Sequence, residues 1–342
     1  MSAVLTGMGA AFPADVPQDA LWDGFFATHF GGSRVARRVF ASAGVRQRHT
    51  VADPRVEDLS RWSTGARMER YAVEAMPLGK DAVARALDDA GLAPRDVGLF
   101  TVVSCTGYAT PGVDIRLARD LGMSDSVQRL FVGHMGCYAA LPALGAAADF
   151  VAARGRPAVV LCLELTSLHL QPPTDDLGQV VAHALFSDAA AAVVLEPAGT
   201  GLVVVDVAAR TDVGTADHMT WDVTDLGFRM GLSPRVPDVL AVHVAPMVAD
   251  LLARNGVAPG EVAGWAVHPG GPRILEVVAD RLALPAGALD ASRAVLAEHG
   301  NCSSATVLMV LSALPRPAPG RYVVALAFGP GLTLYAALLR SP

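Results

Sequence analysis

Seven runs of strand length, almost wholly apolar, recur along the chain at residues 99–104, 158–163, 189–195, 201–208, 264–267, 322–327 and 332–338. A strand with one wet face alternates apolar and polar side chains, whereas one that is apolar on both faces needs cover on both sides. Between these runs lie longer stretches with helical periodicity. The spacing predicts helices over 78–90, stopping at Gly91, over 111–121, stopping at Gly122, and over 242–254, stopping before Gly256. Such a chain is constrained to an α/β architecture with buried sheets. Its 342 residues, 52% hydrophobic and 18% charged, suffice to fill that core.

No long linker divides the chain, and the best seam is the Pro/Gly stretch at 198–201, which separates a half at 1–199 from a half at 200–342. A weak repeat crosses this seam. Gly136-Cys137 opens an Ala/Leu-rich helical pattern that reaches a strand at Val159, and Gly300-Asn301 opens another that reaches a strand at Val323, so the offset is 22 residues in each half (137 to 159, 301 to 323). One α/β motif used twice accounts for this.

Composition narrows the function. Net charge is −6, and of 27 Lys plus Arg only Lys80 is lysine, so no basic stripe suits a nucleic-acid backbone. Cys105, Cys137, Cys162 and Cys302 form no C-x-x-C pair, and no charged segment precedes the apolar start, so a reduced cytoplasmic protein is expected. Pro, Gly or Asp interrupts every apolar run before the roughly 18 residues of a membrane span. No H-x-x-H or H-E-x-x-H spacing occurs, so no metal is expected. The lone G-x-G at Gly7 and Gly9 reads as a strand exit rather than a dinucleotide site.

The chemistry-bearing candidates stand at predicted element ends. G-H-M-G-C-Y-A-A (133–140) follows a strand expected over 129–132 and places Cys137 at a strand-to-helix turn, where helix N–H groups lower a thiol's pKa and can hold an oxyanion. A buried structural cysteine is the alternative. H-P-G-G-P-R-I-L (268–275) aims His268 from a strand end into a crevice with uncluttered backbone. In G-N-C-S-S-A (300–305) Asn301 begins a helix, where Asn also serves as a simple cap. The two halves bring these three together near a pseudo-twofold axis. A Cys-His-Asn set also serves proteolysis, so the triad alone does not name the reaction. His134 is expected on a buried strand end, and His218, His243 and His299 in loops or on helix faces.

Seven blocks in order resemble the chalcone synthase, or type III polyketide synthase, family of thiolase-like fold. They are V-S-C-T-G-Y-A-T-P-G (103–112), M-G-C-Y-A (135–139), L-C-L-E-L-T-S-L (161–168), Q-V-V-A-H-A-L-F-S-D-A-A-A-A (179–192), W-A-V-H-P-G-G-P-R-I-L (265–275), H-G-N-C-S-S-A (299–305) and F-G-P-G-L-T (328–333). The resemblance spans nearly the whole chain and implies a five-layer αβαβα fold of two duplicated halves. It implies that Cys137 takes an acyl starter from CoA, that His268 holds the thiolate, and that His268 and Asn301 stabilise the enolate left when malonyl-CoA loses carbon dioxide. Iterative condensation and cyclisation then give a resorcinol, pyrone or polyhydroxynaphthalene.

Carried over in the same way, Phe186 is a gatekeeper, and Met230 stands where plant members have a second phenylalanine. Cys105, Thr166, His169 and Ser303 line the cavity, with Gly329, Pro330 and Gly331 in its wall. His169 replaces a threonine of the plant enzymes and Ala140-Leu141 a Gly-Gly pair, so plant products are not implied, and the S-C-T-G-Y block is closer to bacterial members. Arg34, Arg37 and Arg38 lie in the segment that binds CoA phosphates in the family. Thr110 would reach across a homodimer interface. CoA thioesters are the implied substrates, without a further cofactor. Rival readings are a ketoacyl synthase using malonyl carrier protein, a hydroxymethylglutaryl-CoA synthase, for which Glu164 is the one acidic candidate, and a non-catalytic acyl-CoA-binding subunit.

Overall fold

The computed structural model describes residues 2–342. Its N-terminal half carries β1 (Ala3–Ala11), β2 (Asp15–Pro17), α1 (Gln18–Leu21), α2 (Ala27–His29), α3 (Arg34–Ser42), β3 (Gln47–His49) and α4 (Thr64–Ala90). It continues through β4 (Leu99–Ser104), α5 (Val113–Leu121), β5 (Gln128–Gly133), α6 (Ala140–Arg154), β6 (Ala158–Glu164), α7 (Leu177–Leu185) and β7 (Ala189–Glu196). The C-terminal half carries β8 (Leu202–Thr211), β9 (Met219–Thr224), β10 (Gly227–Leu232), α8 (Val236–Arg254) and β11 (Val262–Val267). It ends with α9 (Pro272–Arg281), α10 (Asp290–His299), α11 (Ala305–Ala313), β12 (Tyr322–Gly329) and β13 (Thr333–Arg340).

Nine strands join in the order β11-β12-β13-β8-β1-β7-β6-β4-β5. The pairing repeats itself. β4 runs parallel to β6, β6 antiparallel to β7, and β7 antiparallel to β1. In the other half β11 runs parallel to β12, β12 antiparallel to β13, and β13 antiparallel to β8. β5 is the extra strand, outside β4. Among the described residues only three pairs, Ala3 to Leu5 against Leu202 to Val204, join the two halves of the sheet at β1 and β8.

Layering follows from which faces are apolar. β4, β6 and most of β7 are buried at every residue, so both faces are covered. Residues Ala305 to Leu311 of α11 are all buried, the mark of a helix enclosed on every side. α11 packs on β6 and β7 of one half and β11 and β12 of the other, and α6 likewise touches strands of both halves. These two helices form the middle layer around one shared core. α4 covers the outer face of the N-terminal sheet, and α8 that of the C-terminal sheet, each over its own core. The result is five layers, αβαβα.

Two expectations need correction here. Gly7 and Gly9 are interior residues of β1, not its exit, and a Cβ on either would overlap the Ala86 or Ala82 carbonyl of α4, so the missing side chains let helix and strand approach. Segments Gly136–Arg154 and Val236–Arg254 do reach the length and apolarity of a membrane span despite their interruptions. Here the first is packed in the middle layer and the second against β8 and β13.

Candidate active site

Cys137 lies in the single 3-10 turn Gly136–Tyr138 that joins β5 to α6. Gly136 has φ +77°, and a Cβ there would collide with the Pro330 ring at 2.5 Å, so glycine is required twice over. A Cβ on Gly329 would come within 3.1 Å of the Cys137 amide, so the Gly329 backbone lies directly against the nucleophile's turn. His268 extends β11 by one residue, its N–H donating to Leu326 O at 2.8 Å, before the Pro-Gly-Gly turn releases the chain into α9. Asn301 stands between α10 and α11. Contrary to expectation it begins no helix: it pairs as an isolated bridge with Phe186, and α11 starts four residues later. Its Oδ1 accepts from the Ser303 N–H at 2.9 Å, which leaves Nδ2 without a protein partner among the described residues.

All three side chains are buried, at 6%, 1% and 3% exposure for Cys137, His268 and Asn301, and all three line one cavity of about 600 Å³. Neither ring nitrogen of His268 has a hydrogen-bond partner among the described residues. A buried imidazole left wholly unpaired is costly unless something else occupies its reach. Burial pushes the Cys137 thiol up to about 12, opposed by its hydrogen bond with Ser303, and pushes His268 down to about 3. This reverses the expectation of a thiol acidified by a helix start. Cys137 precedes α6 by three residues, and desolvation outweighs the help of nearby N–H groups.

The large cavity is mostly apolar and opens between α3, α7 and α9, where Val35, Val39, Val181 and Ile274 line it. Arg34, Arg37 and Arg38 are exposed on α3, the helix whose Val35 and Val39 line the cavity, but none of the three is among its lining residues. Inside it, Phe186 and Met230 also line a small chamber with Cys105, Cys137, Thr166, Trp221, Ser303 and Pro330, and a further pocket of about 60 Å³ with Thr166, His169 and Trp221. Phe186 and Met230 thus stand where the three spaces meet. Gly331, at φ +74°, turns the wall loop after Pro330. Thr110 is exposed in the loop after β4, away from the cavity.

His169 is neutral and fixed: Nε2 donates to Thr106 O at 2.7 Å and Nδ1 accepts from the Phe228 N–H at 2.9 Å, with burial holding its pKa down to about 3. Glu164 is no free acid, because Cys105 N–H, Thr106 Oγ1 and Ser304 Oγ all donate to it. His134 is exposed at φ +57°, just past β5, rather than buried. Sequence reading missed Trp221, whose Nε1 donates to Cys105 O at 2.7 Å and whose ring walls the small chamber. The signal was there, since Met219, Trp221 and Val223 alternate with polar residues opposite Phe228, Met230 and Leu232, a hairpin pattern.

Known proteins resemble the chain along nearly its whole length. The N-terminal domain of chalcone and stilbene synthases matches residues 1–198, and the C-terminal domain of the same family matches 205–342. A 1,3,6,8-tetrahydroxynaphthalene synthase of Streptomyces peucetius subsp. caesius is 38% identical over 316 residues, 89% of this chain and 83% of that one. The alpha-pyrone synthesis polyketide synthase-like Pks18 of Mycobacterium tuberculosis is 35% identical over 280 residues, 78% of this chain and 71% of that one. The crystal structure of 1,3,6,8-tetrahydroxynaphthalene synthase from Streptomyces coelicolor superposes with TM-score 0.93 at 29% identity, covering 99% of each chain. The chain belongs to the chalcone and stilbene synthase family and is a type III polyketide synthase, an acyltransferase that builds polyketides by decarboxylative Claisen condensation.

Proposed function

We propose that Cys137 is the acyl-carrying nucleophile, His268 its proton acceptor, and His268 with Asn301 the donors that hold the malonyl thioester oxygen. The Cys137 thiol passes its proton to His268 as sulfur attacks the starter thioester; the bond to CoA breaks, and the CoA thiolate leaves with that proton. Malonyl-CoA follows. Loss of carbon dioxide leaves its electron pair as an enolate, whose oxygen accepts from His268 and from Asn301 Nδ2. The enolate carbon attacks acyl-Cys137, the carbon–sulfur bond breaks, and the lengthened chain remains on CoA. Phe186 offers the malonyl carboxylate an apolar neighbour that disfavours its charge.

The observation that carries this reading is that three buried polar groups from both halves line one cavity, with both His268 nitrogens uncommitted. Arg34, Arg37 and Arg38, exposed on the helix that lines the cavity mouth, would suit the CoA phosphates. CoA thioesters are the substrates, and the scheme uses no further cofactor. The products belong to the polyhydroxynaphthalene or pyrone class, the classes in the names of the two relatives. Two copies associate, with Thr110 crossing to the partner.

Asn301→Ala tests the core of it. The variant is expected to load starter at the normal rate while malonyl-CoA decarboxylation falls by about 10² to 10³, the usual cost of one oxyanion donor. Full decarboxylation would remove Asn301 from the role. Mass spectrometry of products from a panel of acyl-CoA starters identifies the starter and chain length.

A further inference from the structure

We infer that His49 and His299 form a positioning pair that fixes the backbone bearing Asn301 against the segment bearing Phe186. The two rings, 250 residues apart in sequence, meet with His49 Nε2 2.9 Å from His299 Nδ1, and Phe12 stacks on His299 at a centroid separation of 4.5 Å and lies tilted against His49 at 4.6 Å. Their protons are determined. His49 Nδ1 lies 3.1 Å from Pro13 O, which only accepts, so Nδ1 carries the hydrogen and Nε2 of the neutral ring is an acceptor. The His299 ring therefore donates from Nδ1.

The pair closes a loop of contacts around the reaction centre. The His49 N–H donates to Ser187 Oγ at 2.8 Å, and the His49 carbonyl accepts from the Asp188 N–H at 3.0 Å, so the stretch after Phe186 is tied to β3. On its other side the Ser187 N–H donates to Asn301 O at 3.0 Å and the Asn301 N–H to Leu185 O at 2.8 Å. His299, the last residue of α10, leads through Gly300 back to Asn301. Gly300 has φ +70°, and a Cβ there would approach Ser187 Cβ to 2.8 Å, so this link has little slack on that side. The backbone of α10 is also tied to the residue before β3, since the Arg46 N–H donates to Ala297 O at 2.8 Å and its guanidinium pairs with Glu298; without the ring contact the last residue of α10 loses its own side-chain tie to β3, and the direction of the Asn301 carboxamide loosens. An oxyanion donor acts only when held at its angle before the charge appears.

This rests on the role proposed for Asn301, and Asn301→Ala is the reference variant. In His299→Phe, stacking on Phe12 persists but the donor is gone. Malonyl-CoA decarboxylation is expected to fall about tenfold or more while starter loading stays within about twofold of the unmodified enzyme. His299→Asn, whose amide sits near the lost Nδ1, is expected to restore most of the decarboxylation. The double variant His49→Phe with His299→Phe removes both partners and orphans neither, so it separates positioning from the cost of an unpaired buried nitrogen; it is expected to stay slow. Normal decarboxylation in the double variant, or loading and decarboxylation falling in equal measure in His299→Phe, overturns the pair's role. If Asn301→Ala itself decarboxylates normally, it is the reading of Asn301 that falls. Should His299→Phe not fold, the comparison of the double variant with His299→Asn decides.

Discussion

Cys137, His268 and Asn301 were legible one by one because each stands beside a glycine or a Gly-Gly turn at an element end, and such signals are local. What burial does to them was not legible. With burial pushing the thiol up to about 12 and the imidazole down to about 3, neither group favours its charged form on its own near neutrality, and the proposed mechanism reaches the thiolate by proton transfer within the site. His268→Gln removes the acceptor. A raised thiol pKa means that reactivity appears only as pH climbs, so iodoacetamide labelling of Cys137 in this variant is expected to rise steadily from about pH 6 to about pH 10 without a plateau. At pH 7 it should lag the unmodified enzyme by about tenfold or more. Equal labelling at that pH takes the proton-accepting role from His268. Met230, shared by all three cavities, is flexible and adapts its shape to its neighbours. Met230→Phe is expected to change product length or starter range, read by mass spectrometry, and an unaltered profile counts against its place at the junction. Of what sequence reading missed, Trp221 carried a local hairpin signal, whereas the members of the His49–His299 pair stand 250 residues apart, which no local pattern reveals.

At the scale of elements, apolar runs located the strands because burial on both faces leaves little choice of residue. Boundaries failed where a residue's usual meaning was overridden. Pro77 reads as a helix start, yet α4 runs 27 residues from Thr64, with Ser63 capping the Ala66 N–H and Gly91 ending it at φ +67°. Its buried face, Arg67, Tyr71, Ala75, Leu78, Ala82 and Ala86, passes Pro77 on the inner side while Pro77 itself faces out. β1 was cut short at Gly7 and Gly9 because glycines lower strand propensity, and their purpose appears only when α4 is laid over them. Gly9→Ala forces that helix and strand apart. The expected loss of stability is about 1–3 kcal/mol in urea unfolding, at the upper end of what one added methyl costs in a tight interface. A loss below about 0.5 kcal/mol, the scale of an ordinary surface change, shows that α4 shifts freely.

Over the whole molecule, duplication explains why the site needs both halves: the repeated strand order places two equivalent turns at the ends of the middle-layer helices, one giving Cys137 and the other Asn301. The copies are not equal, because only the N-terminal half adds an outer strand. That strand, β5, ends the sheet with no buried residue, and Leu130, at 42% exposure, stands on it beside half-exposed Phe131 and Val132. An open edge of this kind invites pairing with any passing strand unless something covers it. In the dimer proposed above, a second copy meeting it edge to edge across a twofold axis would satisfy both open backbones at once, because such an interface is self-complementary. It also brings the β4–α5 loop with Thr110 and the exposed Tyr108 toward the partner. If β5 pairs with its copy, Leu130→Glu adds a charge from each copy to that seam and is expected to yield monomers in sedimentation equilibrium while the folded circular dichroism signal is kept. Because Cys137 follows directly on β5, the same variant should lose polyketide formation more than thiol labelling. A variant that remains dimeric moves the interface elsewhere on the surface, and leaves the bare edge of β5 to be explained by some other cover.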